Sequence, residues 1–303
     1  MKHEEINKEL SSKILDCLTQ YRFKADEATI DKELNGIKAK VDENKSKDVY
    51  KTIFSLIDLT TLNVQDNKTR INAFVNKVNQ FQSNFKDVPN VAAICTWPSL
   101  IGQVRDTLNV EGVSCCAVSA GFPEWHTFTE VKIAETSLTI MDGADEIDIV
   151  INVGELLDED YDNVFDDISE IKSACGEKKL KVILETGALK STETIKTASI
   201  IAMEAGADFI KTSTGKISPA ATPEAFLVMV KAIKEFGEKS GKKIGIKPAG
   251  GISTTEEALL YYTIVKEVLG KEWLNNKFFR IGASRLANDV LGQITGKEVS
   301  YFG

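Results

Sequence analysis

Short apolar segments alternate with longer amphipathic segments from about Thr52 onward. The apolar segments are rich in Val, Ile, Phe or Cys and show no polar alternation, which is typical of strands buried on both faces. We predict eight such strands: Phe54–Leu59, Val91–Thr96, Ser114–Ser119, Glu146–Ile151, Leu180–Glu185, Phe209–Lys211, Lys243–Lys247 and Phe279–Gly282.

Amphipathic helices are predicted in the gaps between these strands. Apolar residues recur there at helical spacing and so share one face, as in the stripe formed by Ile71, Phe74, Val75 and Val78. Several of these helices are preceded by N-terminal capping signals: Ser191, Thr222 with Pro223 and Glu224, and the capping-box pairs Thr127/Glu130 and Ser253/Glu256.

Eight strands that each precede a helix, over about 250 residues, predict an α/β fold of the (β/α)₈ TIM barrel type. The alternative on pattern alone is a doubly wound open sheet. In a barrel, the groups that carry chemistry lie at the C-terminal ends of the strands. Candidate catalytic and binding residues are therefore expected at those strand ends.

Residues 1–48 lie outside this alternation and form a predicted N-terminal helical extension to a barrel of residues 49–303. Two apolar stripes at helical spacing predict a helical hairpin packed on the barrel. The alternative is a contact with another subunit or with a partner helix, although the pattern is too short for a coiled coil. The two stripes are Ile6, Leu10, Ile14 and Leu18, and Ile30, Leu34, Ile37 and Val41.

The composition narrows the class of protein. A net charge of −8 over 303 residues argues against a nucleic-acid surface. The start of the chain lacks a signal core and no apolar run is long enough to span a bilayer. The five scattered cysteines are typical of reduced thiols in a cytoplasmic protein. With only two histidines, neither at ligand spacing, we expect no metal site and no cofactor.

Two lysines and an acid lie at or near predicted strand ends. Lys211 and Lys247 end consecutive strands and are followed by glycines, and Asp148 lies inside an apolar strand. This set predicts carbonyl chemistry through an imine, with Asp148 as the proton carrier. The attacking lysine must be neutral, and a second ammonium about 4 Å away disfavours its protonated form. Solvated strand-end lysines are the alternative.

Three further residues are weaker candidates. Asp58 is a second acid in an apolar strand and would order the lysines or bind substrate hydroxyls. Lys181 begins its strand and does not end it. We therefore interpret it as a structural residue or as a charge one layer behind the reacting groups. Cys95 ends a strand, and no histidine is placed to activate its thiol. This favours a packing role, and a position in the pocket wall is compatible with that role.

A phosphate site is predicted after the last strands. Glycine-bearing turns there precede helices whose first amide groups are free, and such groups suit an anion. Glycine pairs are weak evidence alone, because tight turns also require them. The predicted substrate-binding residues are Thr214, Gly215, Lys216, Gly250, Gly251, Gly282 and Ser284.

From about Leu56 to Leu291 the sequence resembles the deoxyribose-phosphate aldolase family. The resemblance rests on seven motifs along the barrel: Asp58-Leu59-Thr60-Thr61-Leu62-Asn63, Gly121-Phe122-Pro123, Gly143-Ala144-Asp145-Glu146-Ile147-Asp148, Lys181-Val182-Ile183-Leu184-Glu185-Thr186-Gly187, Gly206-Ala207-Asp208-Phe209-Ile210-Lys211-Thr212-Ser213-Thr214-Gly215, Lys247-Pro248-Ala249-Gly250-Gly251-Ile252 and Arg280-Ile281-Gly282-Ala283-Ser284. It implies a metal-independent lyase that reversibly cleaves 2-deoxy-D-ribose 5-phosphate to acetaldehyde and D-glyceraldehyde 3-phosphate.

The resemblance also implies roles for individual residues. Lys211 would form the Schiff base, Lys247 would favour its neutral form, and Asp148 would relay protons with Lys247. Arg285 departs from the family pattern, which often has a second serine there; it would contact phosphate or point outward. Tyr301 would reach the active site as a C-terminal tyrosine does in some members.

The family also suggests a dimer or higher homo-oligomer. Two alternatives remain open at this point. One is another imine-forming phosphosugar aldolase, and the other is a non-catalytic phosphosugar-binding barrel.

Overall fold

The computed structural model describes residues 14–302, and its strands form a closed parallel barrel. Neighbouring strands follow the order β7-β6-β5-β4-β3-β2-β1-β8. Parallel bridges between Ile246 and Phe279 and between Ala249 and Gly282 then join β7 to β8. The (β/α)₈ barrel is therefore confirmed and the open sheet is excluded. The strands are β1 Ile57–Thr60, β2 Ala93–Thr96, β3 Ser114–Val118, β4 Glu146–Val150, β5 Lys179–Ile183, β6 Phe209–Lys211, β7 Gly245–Lys247 and β8 Ile281–Ala283.

Helices cover the outside of the barrel, with at least one after every strand. Three lie before β1: α1, described over residues 14–19, α2 Glu27–Lys38 and α3 Lys47–Ser55. The others are α4 Lys68–Asn79, α5 Phe81–Asn84, α6 Ile101–Thr107, α7 Thr129–Met141, α8 Val153–Leu157, α9 Tyr161–Cys175, α10 Thr192–Glu204, α11 Pro223–Ser240, α12 Thr255–Val268 and α13 Leu286–Thr295. Among residues 14–302, no helix has the length and apolar character needed to cross a membrane.

Two of the predicted helix starts are confirmed and two are wrong. Ser191 and Thr222 cap α10 and α11 as expected. The capping box of α12 uses Thr254 and Glu257, one position later than predicted, and the Glu257 carboxylate also accepts the Ser253 amide. Thr127 does not cap α7: its amide donates to a turn carbonyl, and the helix begins two residues later.

Strand β1 begins later than its apolar run predicts. Ile53 and Phe54 belong to α3, where Ser46 caps the N-terminus and both apolar side chains are buried. A continuous apolar run thus contains the end of a helix and the start of a strand, which periodicity alone does not separate. The ends of the strands that carry the candidate residues are as predicted for β6 and β7.

The described part of the N-terminal extension packs on the barrel. Ile30, Leu34 and Ile37 of α2 are buried in the common hydrophobic core, on the side covered by α11 and α12. The Tyr21 hydroxyl also donates to Glu204 of α10. Ile6 and Leu10 lie outside the described residues. The division into an extension of residues 1–48 and a barrel of residues 49–303 stays a prediction.

Candidate active site

Seven charged side chains fill the interior of the barrel, and none is more than 4% exposed. Their alternation with apolar residues along each strand directs them inward, because successive side chains of a strand point to opposite faces. Burial of a charge is unfavourable unless it is paired, so each requires partners across the barrel. We call this set the charged cluster: Asp58, Glu146, Asp148, Lys181, Lys211, Lys247 and Arg280.

Asp148 lies at the centre of the cluster. Its Oδ2 accepts hydrogen bonds from the Nζ atoms of Lys211 and Lys247, both at 2.8 Å. Its Oδ1 accepts a third from Nζ of Lys181 at 2.9 Å. Strand register explains the arrangement: Lys211 is paired with Lys247, and Lys181 is paired with Asp148. The structure therefore brings the three predicted catalytic residues together, with both lysines hydrogen-bonded to the Asp148 carboxylate.

The other carboxylates pair with the remaining cations. Nζ of Lys247 lies 2.5 Å from Oδ2 of Asp58, an ion-pair contact without hydrogen-bond alignment. Arg280 donates to Asp58 and to Glu146, at 2.7 Å each. Glu146 also lies 2.7 Å from Nζ of Lys181. Asp58 thus contacts Lys247 directly, and its two predicted roles, ordering the lysines or binding substrate hydroxyls, stay predictions.

These pairings fix most charge states of the cluster. Burial alone would raise the pKa of Asp148, but the ammonium groups of Lys181, Lys211 and Lys247 hold it well below its usual value. Burial would likewise lower the pKa of Lys247, but Asp148 and Asp58 raise it above the usual lysine value. At neutral pH, Asp148 is therefore an anion and Lys247 is a cation.

Lys211 differs from the other two lysines in its partners and its access. Lys181 and Lys247 each contact at least two carboxylates, whereas Lys211 contacts one among residues 14–302, that of Asp148. Lys211 is also the member of the charged cluster that lines a cavity of about 300 Å³ at the C-terminal ends of the strands. The least neutralised lysine is thus the one that a ligand can reach.

Glu146 and Arg280 also belong to the cluster, although neither is among the predicted site residues. Glu146 begins β4, and Arg280 directly precedes β8. A signal for Glu146 was available, because acids recur at a spacing of two in Glu146-Ile147-Asp148, which puts both on one face of the strand. Arg280 has no such signal, and only closure of the barrel brings it to Glu146.

The cavity also contains the residues predicted to bind phosphate. Thr214, Gly215 and Lys216 follow β6, and Gly250 and Gly251 follow β7. Gly282 of β8 completes the wall with Ser284 and Arg285, which follow that strand. We call the exposed part of this wall the loop cradle: Gly215, Lys216, Gly250, Gly251, Ser284 and Arg285.

Glycine is required in the loop cradle by backbone conformation. Gly215, Gly250 and Gly251 have φ values of 78°, 87° and 82°, a region that other residues rarely adopt. A Cβ at Gly250 would lie 2.7 Å from Cβ of Ala220 and 3.0 Å from Cα of Gly215. The two loops therefore approach each other through their backbones, and this leaves peptide groups exposed along the cavity wall.

Thr214 and Lys216 already have protein partners. Oγ1 of Thr214 donates to Glu185 at 2.5 Å, and the Thr214 amide donates to the same carboxylate at 3.2 Å. Thr214 thus orders the β6 loop from a buried position, and Glu185 is a residue that we did not select. Nζ of Lys216 donates to the Leu62 carbonyl at 2.7 Å, so its side chain spans the cavity wall from β6 toward β1.

Gly282 serves the charged cluster as well as the cavity. A Cβ there would lie 3.0 Å from Cε of Lys247 and 2.8 Å from Cβ of Ala249. The missing side chain therefore makes room for the lysine, a contact that the sequence could not predict.

Cys95 is fully buried in a small apolar group with Ala93, Cys116 and Val118. It does not line the cavity, which agrees with a packing residue. Cys116, opposite Cys95 on β3, was not selected, yet its Sγ lies 3.2 Å from Oδ1 of Asp148 and 3.2 Å from Nζ of Lys181. Burial raises the pKa of the Cys116 thiol well above its usual value, so it donates to Asp148 as a neutral group.

Tyr301 lies away from the cavity in this structure. Its hydroxyl donates to the Lys77 carbonyl at 2.8 Å, and its ring packs against Phe81 and Phe85 on the outside of the barrel. Asn288 accepts the Tyr301 amide and fixes the tail on α13. The structure therefore does not bring Tyr301 together with the charged cluster, unlike the expectation from the family resemblance.

Comparison with known proteins agrees with this geometry. The model of the DeoC/LacD family aldolases matches residues 52–287. A "putative deoxyribose-phosphate aldolase" of Caenorhabditis elegans is 42% identical over 252 residues, which cover 82% of each chain. The deoxyribose-phosphate aldolase of Homo sapiens is 40% identical over 261 residues, again 82% of each chain.

A solved structure shares the fold. The crystal structure of a putative deoxyribose-phosphate aldolase from Toxoplasma gondii superimposes with a TM-score of 0.73 at 22% identity, covering 83% of this chain and 96% of that one. At this identity the likeness supports the barrel fold alone. With the family model and the two relatives, the conclusion is that the chain belongs to the DeoC/LacD family of aldolases.

Proposed function

We propose that this protein is a deoxyribose-phosphate aldolase that reversibly cleaves 2-deoxy-D-ribose 5-phosphate to acetaldehyde and D-glyceraldehyde 3-phosphate. Relatives that are about 40% identical carry that name. The observation that carries the proposal is the position of Lys211, which lines the cavity and, in the described part of the chain, has a single carboxylate partner. Both properties are needed by a lysine that must lose a proton and attack a carbonyl.

Charge balance supports Lys211 as the nucleophile. The charged cluster contains four basic groups (Lys181, Lys211, Lys247 and Arg280) and three acids (Asp58, Glu146 and Asp148). With every group ionised, this buried set has one positive charge in excess. The nucleophile in imine formation is an uncharged amine, and with Lys211 in that form the set carries no net charge.

Asp148 and Lys247 are proposed to move the protons of the reaction. Formation of the carbinolamine adds a proton to the substrate oxygen, and its dehydration expels that oxygen as water. Asp148 contacts both lysine Nζ atoms through one oxygen, so a proton can pass between the site of reaction and Lys247 over two hydrogen bonds of 2.8 Å. The same carboxylate is suited to remove a proton from the imine carbon chain as the enamine forms.

The loop cradle is proposed to bind the 5-phosphate. Its glycines leave backbone peptide groups exposed, and the first turn of α13 follows directly after Ser284 and Arg285. Backbone amides at a helix N-terminus, with the helix dipole, favour an anion. The Arg285 carbonyl accepts the Asn288 amide, but its side chain has no hydrogen bond or ion pair with residues 14–302, so the guanidinium is available to the phosphate.

We further propose that the enzyme works without a metal in the cytoplasm. Sulfur and oxygen atoms of Cys95, Cys116 and Asp148 lie within 4.8 Å of one another. Asp148 is, however, already neutralised by three ammonium groups, and these disfavour a further cation. The five cysteines are free thiols, as is usual in a reducing compartment.

Turnover of the phosphorylated sugar tests the proposal. The purified protein should release acetaldehyde and D-glyceraldehyde 3-phosphate in equal amounts from 2-deoxy-D-ribose 5-phosphate. Lys211→Ala should abolish this release while far-UV circular dichroism stays unchanged. The control Lys32→Ala removes an exposed lysine of α2 and should keep full activity. A protein that binds the sugar phosphate without cleaving it would instead be the non-catalytic barrel.

A further inference from the structure

The inner wall of β3 brings a thiol into contact with the charged cluster. Cys116 is fully buried, and its register partners are Cys95 on β2 and Glu146 on β4. Its Sγ lies 3.2 Å from Oδ1 of Asp148 and 3.2 Å from Nζ of Lys181. A polar atom of an otherwise apolar group therefore reaches the carboxylate on which the proposed chemistry depends.

The Asp148 carboxylate receives two hydrogen bonds on each oxygen from residues 14–302. Lys211 and Lys247 donate to Oδ2. Lys181 and the Cys116 thiol donate to Oδ1. An ionised carboxylate has about four lone-pair sites, so these donors occupy them all. The proposed proton transfers use Oδ2, which leaves the contacts of Oδ1 to fix the plane of the carboxylate.

The four donors lie on opposite sides of β4, the strand that carries Asp148. The three lysines belong to β5, β6 and β7, which follow one another around the barrel on one side of β4. Cys116 belongs to β3, the neighbour of β4 on the other side. An aspartate side chain turns easily about its last bond, because that torsion has broad minima. Among the described residues, the thiol is therefore the donor that holds the carboxylate from the β3 side.

The neighbours of the Cys116 thiol determine where its hydrogen points. Nζ of Lys181 donates to Sγ, so the sulfur is an acceptor on that side. Burial raises the pKa of the Cys116 thiol well above its usual value, so the thiol keeps its hydrogen at neutral pH. The sulfur of Cys95 competes as an acceptor, but the ionised carboxylate of Asp148 is the stronger of the two. The hydrogen is therefore donated to Oδ1.

We infer that Cys116 is a positioning residue for proton transfer at Asp148. Its thiol, together with Lys181, fixes Oδ1 of the carboxylate, so that Oδ2 stays aligned with Nζ of Lys211 and of Lys247. The inference rests on the proposed function, because it takes Asp148 as the proton carrier of the aldolase reaction. The thiol has no covalent part in it: the sulfur neither attacks the substrate nor changes its oxidation state.

The alternative is that Cys116 only fills space in the wall of the barrel, and substitutions separate the two roles. Cys116→Ala removes the donor, whereas Cys116→Ser keeps a donor in a side chain of nearly the same shape. Cys115→Ala is the matched control, because it removes the same group from the next position of the same strand. The Cys115 side chain points to the opposite face of β3 and is buried in the main hydrophobic core.

Proton exchange and turnover are measured for each variant after circular dichroism has shown that it is folded. Exchange on acetaldehyde in deuterium oxide, followed by NMR, reports proton transfer without the sugar phosphate. Steady-state kinetics with 2-deoxy-D-ribose 5-phosphate give kcat and KM. We expect Cys116→Ala to slow the exchange and to lower kcat, each about tenfold, with KM unchanged. Cys116→Ser should recover most of both losses, and Cys115→Ala should keep both rates.

The unchanged protein tests the proposed function, and the variants test the positioning role. If the unchanged protein neither exchanges acetaldehyde protons nor cleaves the sugar phosphate, the proposed function is overturned, and the positioning role with it. If the protein is active but Cys116→Ala is as fast as Cys115→Ala, the positioning role alone is overturned. A Cys116→Ser variant as slow as Cys116→Ala would also overturn it, because packing and not the donor would then be responsible.

Discussion

The charged cluster is buried and consists of side chains, whereas the loop cradle is exposed and consists largely of backbone. In the cluster, the carboxylates of Asp58, Glu146 and Asp148 all pair with cations across the barrel. In the cradle, the Arg285 side chain has no hydrogen-bond or ion-pair partner within residues 14–302, and glycines expose peptide groups. The two regions meet at Lys211, which belongs to the cluster and lines the cavity.

The difference between the two regions corresponds to the different tasks that we propose for them, proton transfer in the charged cluster and phosphate binding in the loop cradle. Proton transfer requires groups whose charges and distances are set before the substrate arrives. Binding of a phosphate requires donors that are still free when it arrives. A change in the cluster should therefore alter both stability and the chemical step, and a change in the cradle should alter substrate affinity alone.

The largest effect is expected for Asp148→Asn. Three ammonium groups then lose the carboxylate that they share, and unfolding should become easier by about 3–5 kcal/mol. Loss of the proton carrier should also lower kcat by about 10³-fold. The control Asp145→Asn changes a partly exposed acid just before the same strand and should cost about 1 kcal/mol without changing kcat. Urea unfolding measures the change in stability, and steady-state kinetics measure kcat. A normal kcat for Asp148→Asn would show that the charged cluster takes no part in the chemical step.

The second effect concerns stability in acid. Burial alone would raise the pKa of Glu146, but Lys181 and Arg280 lower it from 4.5 to about 2. Its contribution is therefore complete above pH 4.5 and is lost as the pH falls toward 2, because the unfolded chain binds the proton first. We expect a loss of ~3 kcal/mol from this group across that range.

Glu146→Gln isolates this contribution. The variant should lose less stability than the unchanged protein between pH 4.5 and 2, the window set by that pKa. Glu177→Gln changes an exposed glutamate and should keep the full dependence. Equal slopes for the unchanged protein and Glu146→Gln would show that the cluster does not set the acid limit.

A smaller effect is expected in the loop cradle. Arg285→Ser removes the free guanidinium and restores the residue that the family often has there. We expect kcat/KM for 2-deoxy-D-ribose 5-phosphate to fall roughly tenfold, the value of one hydrogen bond to a charged group. The kcat/KM for unphosphorylated 2-deoxyribose should not change. An equal loss for both sugars would show that Arg285 acts on the fold or on the chemical step.

The smallest effect is expected for Tyr301→Phe. The variant loses the hydrogen bond to the Lys77 carbonyl on the outside of the barrel, which is worth about 1 kcal/mol of stability. Because the tyrosine lies away from the cavity, proton exchange on acetaldehyde, followed by NMR in deuterium oxide, should keep its rate. A slower exchange would mean that the C-terminal tail reaches the active site during catalysis and contributes to it beside the charged cluster and the loop cradle.

Much of the site follows from local patterns along the chain. Lys211, Lys247 and Asp148 were predicted because strand ends can be read from apolar runs and glycines. Arg280 was not predicted, since its partner Glu146 is distant in sequence and meets it only when β8 closes on β1 and β7. Gly282 was predicted only as a substrate-binding residue. The short distance between Cε of Lys247 and the position that a Cβ would take on Gly282 shows that this glycine also makes room for the lysine.

Chemical trapping shows whether Lys211 forms the imine. The protein is incubated with acetaldehyde, reduced with borohydride, digested and mapped by mass spectrometry. We predict an ethyl group on Nζ of Lys211, with Lys247 and Lys181 unlabelled because their ammonium groups are held by carboxylates within the barrel. An ethyl group on either of those lysines instead, or no adduct at all, would show that Lys211 is not the nucleophile.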